Sequence, residues 1–181
     1  ASIWGQAGQS PEPVDRPRIG WAGAPQHQAD LEFLEPVIRE TSKMADWVFM
    51  GMCPEKLRPH VSEFREMSPF SDYPGALAGA KLDIGIAPLA HSPFNRCKSH
   101  LKILEYGILG VAVVASDLEP YQEAPVKLVG SNDPQSWIDA IRSLVDKPEL
   151  RRQQGRNLQD WVLRNHMQED RNELWQSVLA C

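Results

Sequence analysis

Leu82 to Asp117 reads LDIGIAPLAHSPFNRCKSHLKILEYGILGVAVVASD, in the pattern strand, loop, helix, strand. Leu82 to Leu89 is a short, Ile-containing apolar run closed by Pro88, and Val111 to Ser116 is a second run, VAVVAS. Both are too short for buried helices, and unbroken rather than alternating runs predict parallel strands buried on both faces. The roughly 20 residues between them suit a right-handed crossover through one helix. That helix is expected over Leu101 to Leu109, with Ser99 as its N-cap and Gly110 as its stop.

The crossover also reverses the sign of the chain. From Ile84 to Leu104 there is no acid, while His91, Arg96, Lys98, His100 and Lys102 all fall there, in a chain of net charge −5. Lys98, Lys102 and Glu105 lie at i, i+4 and i+7, on one side of the predicted helix and its lead-in. Leu101, Leu104 and Ile108 form a neighbouring apolar stripe. A helix N-terminus with two lysines, at the carboxyl end of a parallel strand, suits a phosphate or diphosphate. Glu105 is then placed for sugar hydroxyls. The same Lys-x3-Lys-x2-Glu spacing also describes an ordinary solvated helix face, so spacing leaves both readings open.

The segment Lys98-Ser99-x2-Lys102-x2-Glu105-Tyr106-Gly107-x2-Gly110-Val111-x-Val113-Val114-Ala115-Ser116 resembles the donor-binding core of retaining glycosyltransferases. The type is the two-Rossmann-domain (GT-B) kind, group 1 or family 4, and the resemblance extends over nearly the whole chain from Arg18. It implies a Glu-x7-Glu motif across this loop and helix. Glu105 matches the second glutamate, which binds the nucleotide ribose. Cys97 stands where the first glutamate would contact the donor sugar. The resemblance further implies that the loop after the first strand, with Gly23 and His27, lies beside the donor diphosphate, although His27 and Gln26 replace the usual Arg and Lys. It also makes Phe70, in the Met67–Phe70 turn, a platform for the base.

Outward from the centre, Ala1 to Pro17 is Gly-, Gln- and Pro-rich and reads as a linker or tail, with one domain over 18–181. Arg18 to Gly23 is a first strand running into a glycine turn. Asp30 is expected to cap a helix from Leu31 to Met44, with Leu31, Leu34, Val37 and Ile38 on its apolar face. Trp47 to Met52 is a second strand ended by Gly51, and a short third lies around Glu63 to Met67. Ser71 or Asp72 caps a helix from Tyr73 to Ala80. After the crossover come a loop, Asp117 to Gln122, a strand from Val126 to Gly130 and a helix from Pro134 to Asp146. A further helix runs from Pro148 to about Asn165, and a last one from Glu169 to Leu179. Beta-alpha alternation of this kind predicts an α/β fold. It is a doubly wound, open parallel sheet of about six strands with helices on both faces, Rossmann-like, one half of a GT-B enzyme.

At 181 residues, 42 % of them hydrophobic, the chain can bury one ordinary core. A pI near 5.5 speaks against a general nucleic-acid or polybasic membrane role. Three cysteines without metal spacing, Cys53, Cys97 and Cys181, suggest a reducing cytoplasm rather than a disulfide framework. Trp47, Trp137, Trp161 and Trp175 sit in apolar patterns and are expected in the core.

The leading expectation is therefore the nucleotide-sugar-binding half of a glycosyltransferase, possessing no Asp-x-Asp metal motif and needing no cofactor. Lys98 and Lys102 would stabilise the diphosphate, Ser99 would donate to a phosphate oxygen, and Glu105 would bind ribose. Its partners would be the nucleotide sugar and an N-terminal Rossmann domain of the same polypeptide supplying the acceptor site, in the cytoplasm or peripheral at the inner membrane face. The setting implied by the family is surface polysaccharide synthesis. The alternative is a non-catalytic binding or regulatory module without the first motif glutamate. A receiver-type signalling domain fits less well, because the strand ends Gly23, Gly51 and Leu89 lack the acids it requires.

Overall fold

A computed structural model describes residues 16–130 and 133–167. Within them a six-stranded sheet forms from β1 (Arg18–Ala22), β2 (Asp46–Met50), β3 (Glu63–Arg65), β4 (Ile84–Ala87), β5 (Ala112–Ser116) and β6 (Lys127–Val129). Every pairing is parallel and the order is β3-β2-β1-β4-β5-β6, with Ile19 of β1 opposite both Trp47 and Ile84. The expected open, doubly wound parallel sheet is thus present, and its order reverses between β1 and β4.

Side chains alternate across the sheet, and each set is covered. Ile19, Trp21, Trp47, Phe49, Ile84, Ile86, Ala112 and Val114 share one core with Leu31, Leu34, Val37, Ile38, Trp137, Ile138, Ile141 and Leu144. Those covering residues come from α1 (Gln28–Glu32), α2 (Glu35–Thr41), the turn between them, and α6 (Pro134–Asp146). On the other face Ala22, Val48, Met50, Ala87, Val113 and Ala115 pack with Leu77, Ile103, Tyr106 and Leu158. These belong to α3 (Tyr73–Gly79), α5 (Leu101–Ile108) and α7 (Pro148–Asn165). Each large apolar side chain so buried is worth roughly 1.5–3 kcal/mol over its exposed state.

Several expectations change in detail. The helix expected from Leu31 to Met44 is two, α1 and α2, because Pro36 has no N–H and its ring would meet the carbonyl of Glu32, where α1 ends. Asp30 is not a cap but lies inside α1, buried. The crossover from β4 to β5 carries two helices, α4 (Pro93–Arg96) and α5, and Ser92 caps the first by accepting from Asn95 N–H at 3.1 Å. Ser99 does not cap α5; His100 occupies that position without a side-chain cap bond. Nor is Leu101, Leu104, Ile108 the buried stripe. Leu101 is 57 % exposed, and the buried face is Ile103, Tyr106 and Gly107. Helices α6 and α7 span the residues expected from their prolines, and Asp133 caps α6 by accepting from Gln135 and Ser136 N–H at 3.1 and 3.2 Å. Trp47 and Trp137 are fully buried, and Trp161 packs partly buried on the second core. The final helix, Trp175 and most of the N-terminal tail lie outside the described residues.

Candidate functional site

In a parallel sheet whose order reverses, the loops leaving the two central strands diverge and open a crevice at their carboxyl ends. Here those strands are β1 and β4, and α5 packs under the end of β1. Tyr106 of α5 lies against Gly85 of β4, where a Cβ would come within 2.7 Å of the ring. Its hydroxyl accepts from Ala22 N–H at 3.2 Å, and Lys102, one turn earlier, donates Nζ to the Ala22 carbonyl. Glycine in β4 thus admits the ring that ties α5 to β1 and sets Lys102 at the crevice. Lys102 Nζ also stands 5.2 Å from the centre of the Trp21 ring. Burial lowers the pKa of this ammonium, and Glu105 beside it works the other way.

Glu105 faces the same place. Burial pushes its carboxyl up, and Lys102 and Tyr73 pull it partly back. The Tyr73 hydroxyl, from the start of α3, donates to Glu105 Oε2 at 2.9 Å. Phe70 is 88 % exposed, not packed in the core.

A second group joins the two loops. His27 Nδ1 and Lys98 Nζ meet Asp30 Oδ2 at 2.8 and 3.1 Å, while Ala90 N–H and Asn95 Nδ2 donate to Asp30 Oδ1 at 2.8 and 2.7 Å. Burial alone would raise the Asp30 carboxyl. The hydrogen bonds from His27, Ala90 and Lys98, with the Lys98 charge, outweigh it and hold the group at about 2. Gly23 closes β1, donating its N–H to Met50 O at 3.0 Å, and a Cβ there would meet the Trp21 indole at 2.6 Å.

The acid-free run is therefore not a bare cationic surface. Lys98 is paired with Asp30, Arg96 with Glu119 at 2.7 Å, and Lys102 sits beside Glu105. Of the residues singled out in the sequence, Lys102 and Glu105 come together. His27 and Lys98 come together through Asp30, Gly23 stands at the end of β1, and Ser99 is exposed on the loop before α5. Cys97 is exposed at the end of α4. Sequence reasoning missed Asp30, Tyr73 and Asn95 as site residues. The signal present for Asp30 was that it is the only acid between Arg18 and Leu31. Among the described residues no three His, Cys, Asp or Glu side chains group to hold a metal ion.

No protein-family model matches the sequence, and a search of the curated proteins found no similar one. Solved structures do share its fold. Sucrose-phosphate synthase from Thermosynechococcus elongatus superposes with a TM-score of 0.69 at 16 % identity, over 93 % of this chain and 47 % of its own. HepE from Anabaena, solved in complex with UDP and glucose, gives 0.70 at 12 %, over 92 % and 48 %. The C-terminal domain of LpcC, a group 1 glycosyltransferase family protein from Francisella tularensis, gives 0.63 at 18 %, over 83 % and 86 %. The fold is that of the C-terminal domain of GT-B glycosyltransferases, and the chain spans about half the length of the first two structures or less.

Proposed function

We propose that this chain is the donor-binding part of a glycosyltransferase, one that moves a sugar from a nucleoside-diphosphate sugar to a glycan or lipid-linked acceptor. The observation that carries the reading is Lys102 and Glu105 set together at the last carbonyl of β1, where a sheet of this order opens its ligand crevice. HepE, of the same fold, holds UDP and glucose, which supports a nucleotide sugar as the ligand class.

Breaking the bond to the anomeric carbon leaves charge on the departing diphosphate, and catalysis requires that charge to be met. In this reading Lys98, Lys102, the Ser99 hydroxyl and the first amides of α5 meet it, and neither metal nor cofactor takes part. Tyr73 occupies Glu105 Oε2, so Oε1 receives the ribose hydroxyl. Gly23 lets the backbone come close to the donor, His27 contacts its phosphate or sugar, and exposed Phe70 offers a face to the base. The acceptor and any catalytic base belong to an N-terminal domain of the same polypeptide. The setting is cytoplasmic or at the inner membrane face, in surface polysaccharide synthesis. No helix among the described residues is long and apolar enough to cross a membrane.

The experiment is calorimetric titration of the chain with UDP, GDP and ADP, repeated on Glu105→Ala. Binding of one nucleotide that disappears in the variant supports the donor site and names the base. Binding that survives the substitution removes Glu105 from it, and binding of none of the three counts against the reading.

One observation favours a second reading, a binding module without transfer activity. Cys97 holds the position of the first motif glutamate and is exposed at the end of α4. Release of nucleotide from a sugar donor by the full-length protein separates the two: turnover supports the enzyme, and binding without turnover supports the module.

A further inference from the structure

One buried carboxylate ties together the two loops that border the crevice. The Asp30 side chain is 4 % exposed, and those of His27 and Lys98 are 20 % exposed each. Its Oδ1 is taken by two rigid donors, the Ala90 N–H and the amide of Asn95, which itself donates to Ala90 O at 2.7 Å. Its Oδ2 is taken by His27 Nδ1 and Lys98 Nζ, side chains that reach partway to solvent. The carboxylate is thus anchored on one oxygen and holds two polar heads with the other.

We propose that Asp30 is a positioning residue for the donor site, acting on the phosphate through Lys98 and on a sugar hydroxyl through His27. The assignment rests on the donor-site reading. An ammonium has three N–H bonds, so Lys98 can give one to Asp30 and still aim others at a phosphate oxygen. Without the carboxylate its four-carbon stem would wander, and each encounter with phosphate would have to order it again. On His27 the same contact sets the tautomer: the neutral ring carries its proton on Nδ1, and Nε2 becomes the acceptor for a donor hydroxyl.

The test uses inorganic pyrophosphate, which needs no knowledge of the base, and a cycle of wild type, Asp30→Asn, Lys98→Met and the double variant. Each single change is expected to weaken pyrophosphate binding by about tenfold, the scale of a charged hydrogen bond, with the double variant no weaker than Lys98→Met alone. Additive losses would mean general damage to the fold, and an unchanged or tighter Asp30→Asn would make the carboxylate a bystander or a competitor. Any of these overturns the assignment. If Asp30→Asn does not fold, nitrogen-15 spectra of wild-type His27 decide: a proton on Nδ1 is expected, and a ring protonated on Nε2 alone overturns the proposal. A wild-type chain that binds neither pyrophosphate nor any nucleoside diphosphate fails the donor-site reading itself. A chain that binds with Asp30→Asn unaffected fails this assignment alone.

Discussion

Lys102 and Glu105 stand one turn apart on α5, and their roles separate by experiment. Lys102→Ala is expected to weaken nucleoside-diphosphate binding by about 1.5–3 kcal/mol, since a hydrogen bond to a charged group is lost; unchanged affinity in calorimetry would take the lysine out of the site. Glu105→Gln is expected to hurt nucleotides with an intact ribose more than pyrophosphate, and equal loss for both would sink the ribose contact. Asp30 makes a prediction about acid. Its folded pKa is depressed from 3.8 to about 2, so its ionisation adds stability that is complete above the unfolded value and is lost as pH falls through the folded one. The shift corresponds to about 2 kcal/mol at neutral pH. Urea unfolding of wild type and Asp30→Asn is therefore expected to differ most at neutral pH and to converge as pH falls from about 4 to about 2. A constant gap would deny the linkage. Lys102 and Glu105 were legible because both lie on one short helix beside two apolar strands. Asp30 was not, because three of its four partners lie beyond residue 89 and nothing local announces them.

At the scale of elements, α5 is held between the sheet and α7. Gly107 of α5 meets Val162 and Leu158 of α7, and a Cβ there would sit 2.6 Å from a Val162 methyl. Gly155 of α7 lies so close to the Gly110 carbonyl that a Cβ would overlap it. Helix propensity favours Ala over Gly by about 1 kcal/mol, but backbone cannot yield as a flexible side chain can. Gly155→Ala is therefore expected to destabilise the chain by roughly 1–3 kcal/mol in urea unfolding, through separation of α7 from the turn after α5. A stabilised variant would show that propensity wins and that the contact is loose. This packing explains why the apolar stripe Leu101, Leu104, Ile108 was the wrong face. Periodicity finds apolar side chains, whereas this interface is built on Gly107 and on Tyr106, whose hydroxyl reaches β1. Helix α6 was legible to the residue because its opening signal, Pro134 in the first turn, is local. Pro36 was an equally local signal that the long apolar periodicity of Leu31, Leu34, Val37 and Ile38 obscured.

For the whole molecule, the reversal of strand order places the crevice, and four exposed large apolar side chains follow strands that end at the same sheet edge. Met67 and Phe70 follow β3, and Phe94 and Leu101 follow β4. In the proposed reading this edge faces the acceptor half of the enzyme. The 181-residue chain by itself is accordingly expected to bind a nucleoside diphosphate yet transfer no sugar. An assay of sugar transfer to added acceptors, run at protein concentrations that saturate the nucleotide, checks this. Transfer by the isolated chain would place the acceptor site within it.

From the chain alone came the fold class, the parallel sheet, most of the elements and the placing of Lys102 and Glu105 on one side of α5. Each depends on short-range pattern: apolar runs, helix spacing, caps and prolines. Tertiary packing set which of the crossover charges are already matched and which face of α5 is buried. It alone brought Asp30, Tyr73 and Asn95 into the site. The reason is geometric, since strand order brings loops distant in the chain to one edge of the sheet, and contacts made there leave no period or spacing in the sequence.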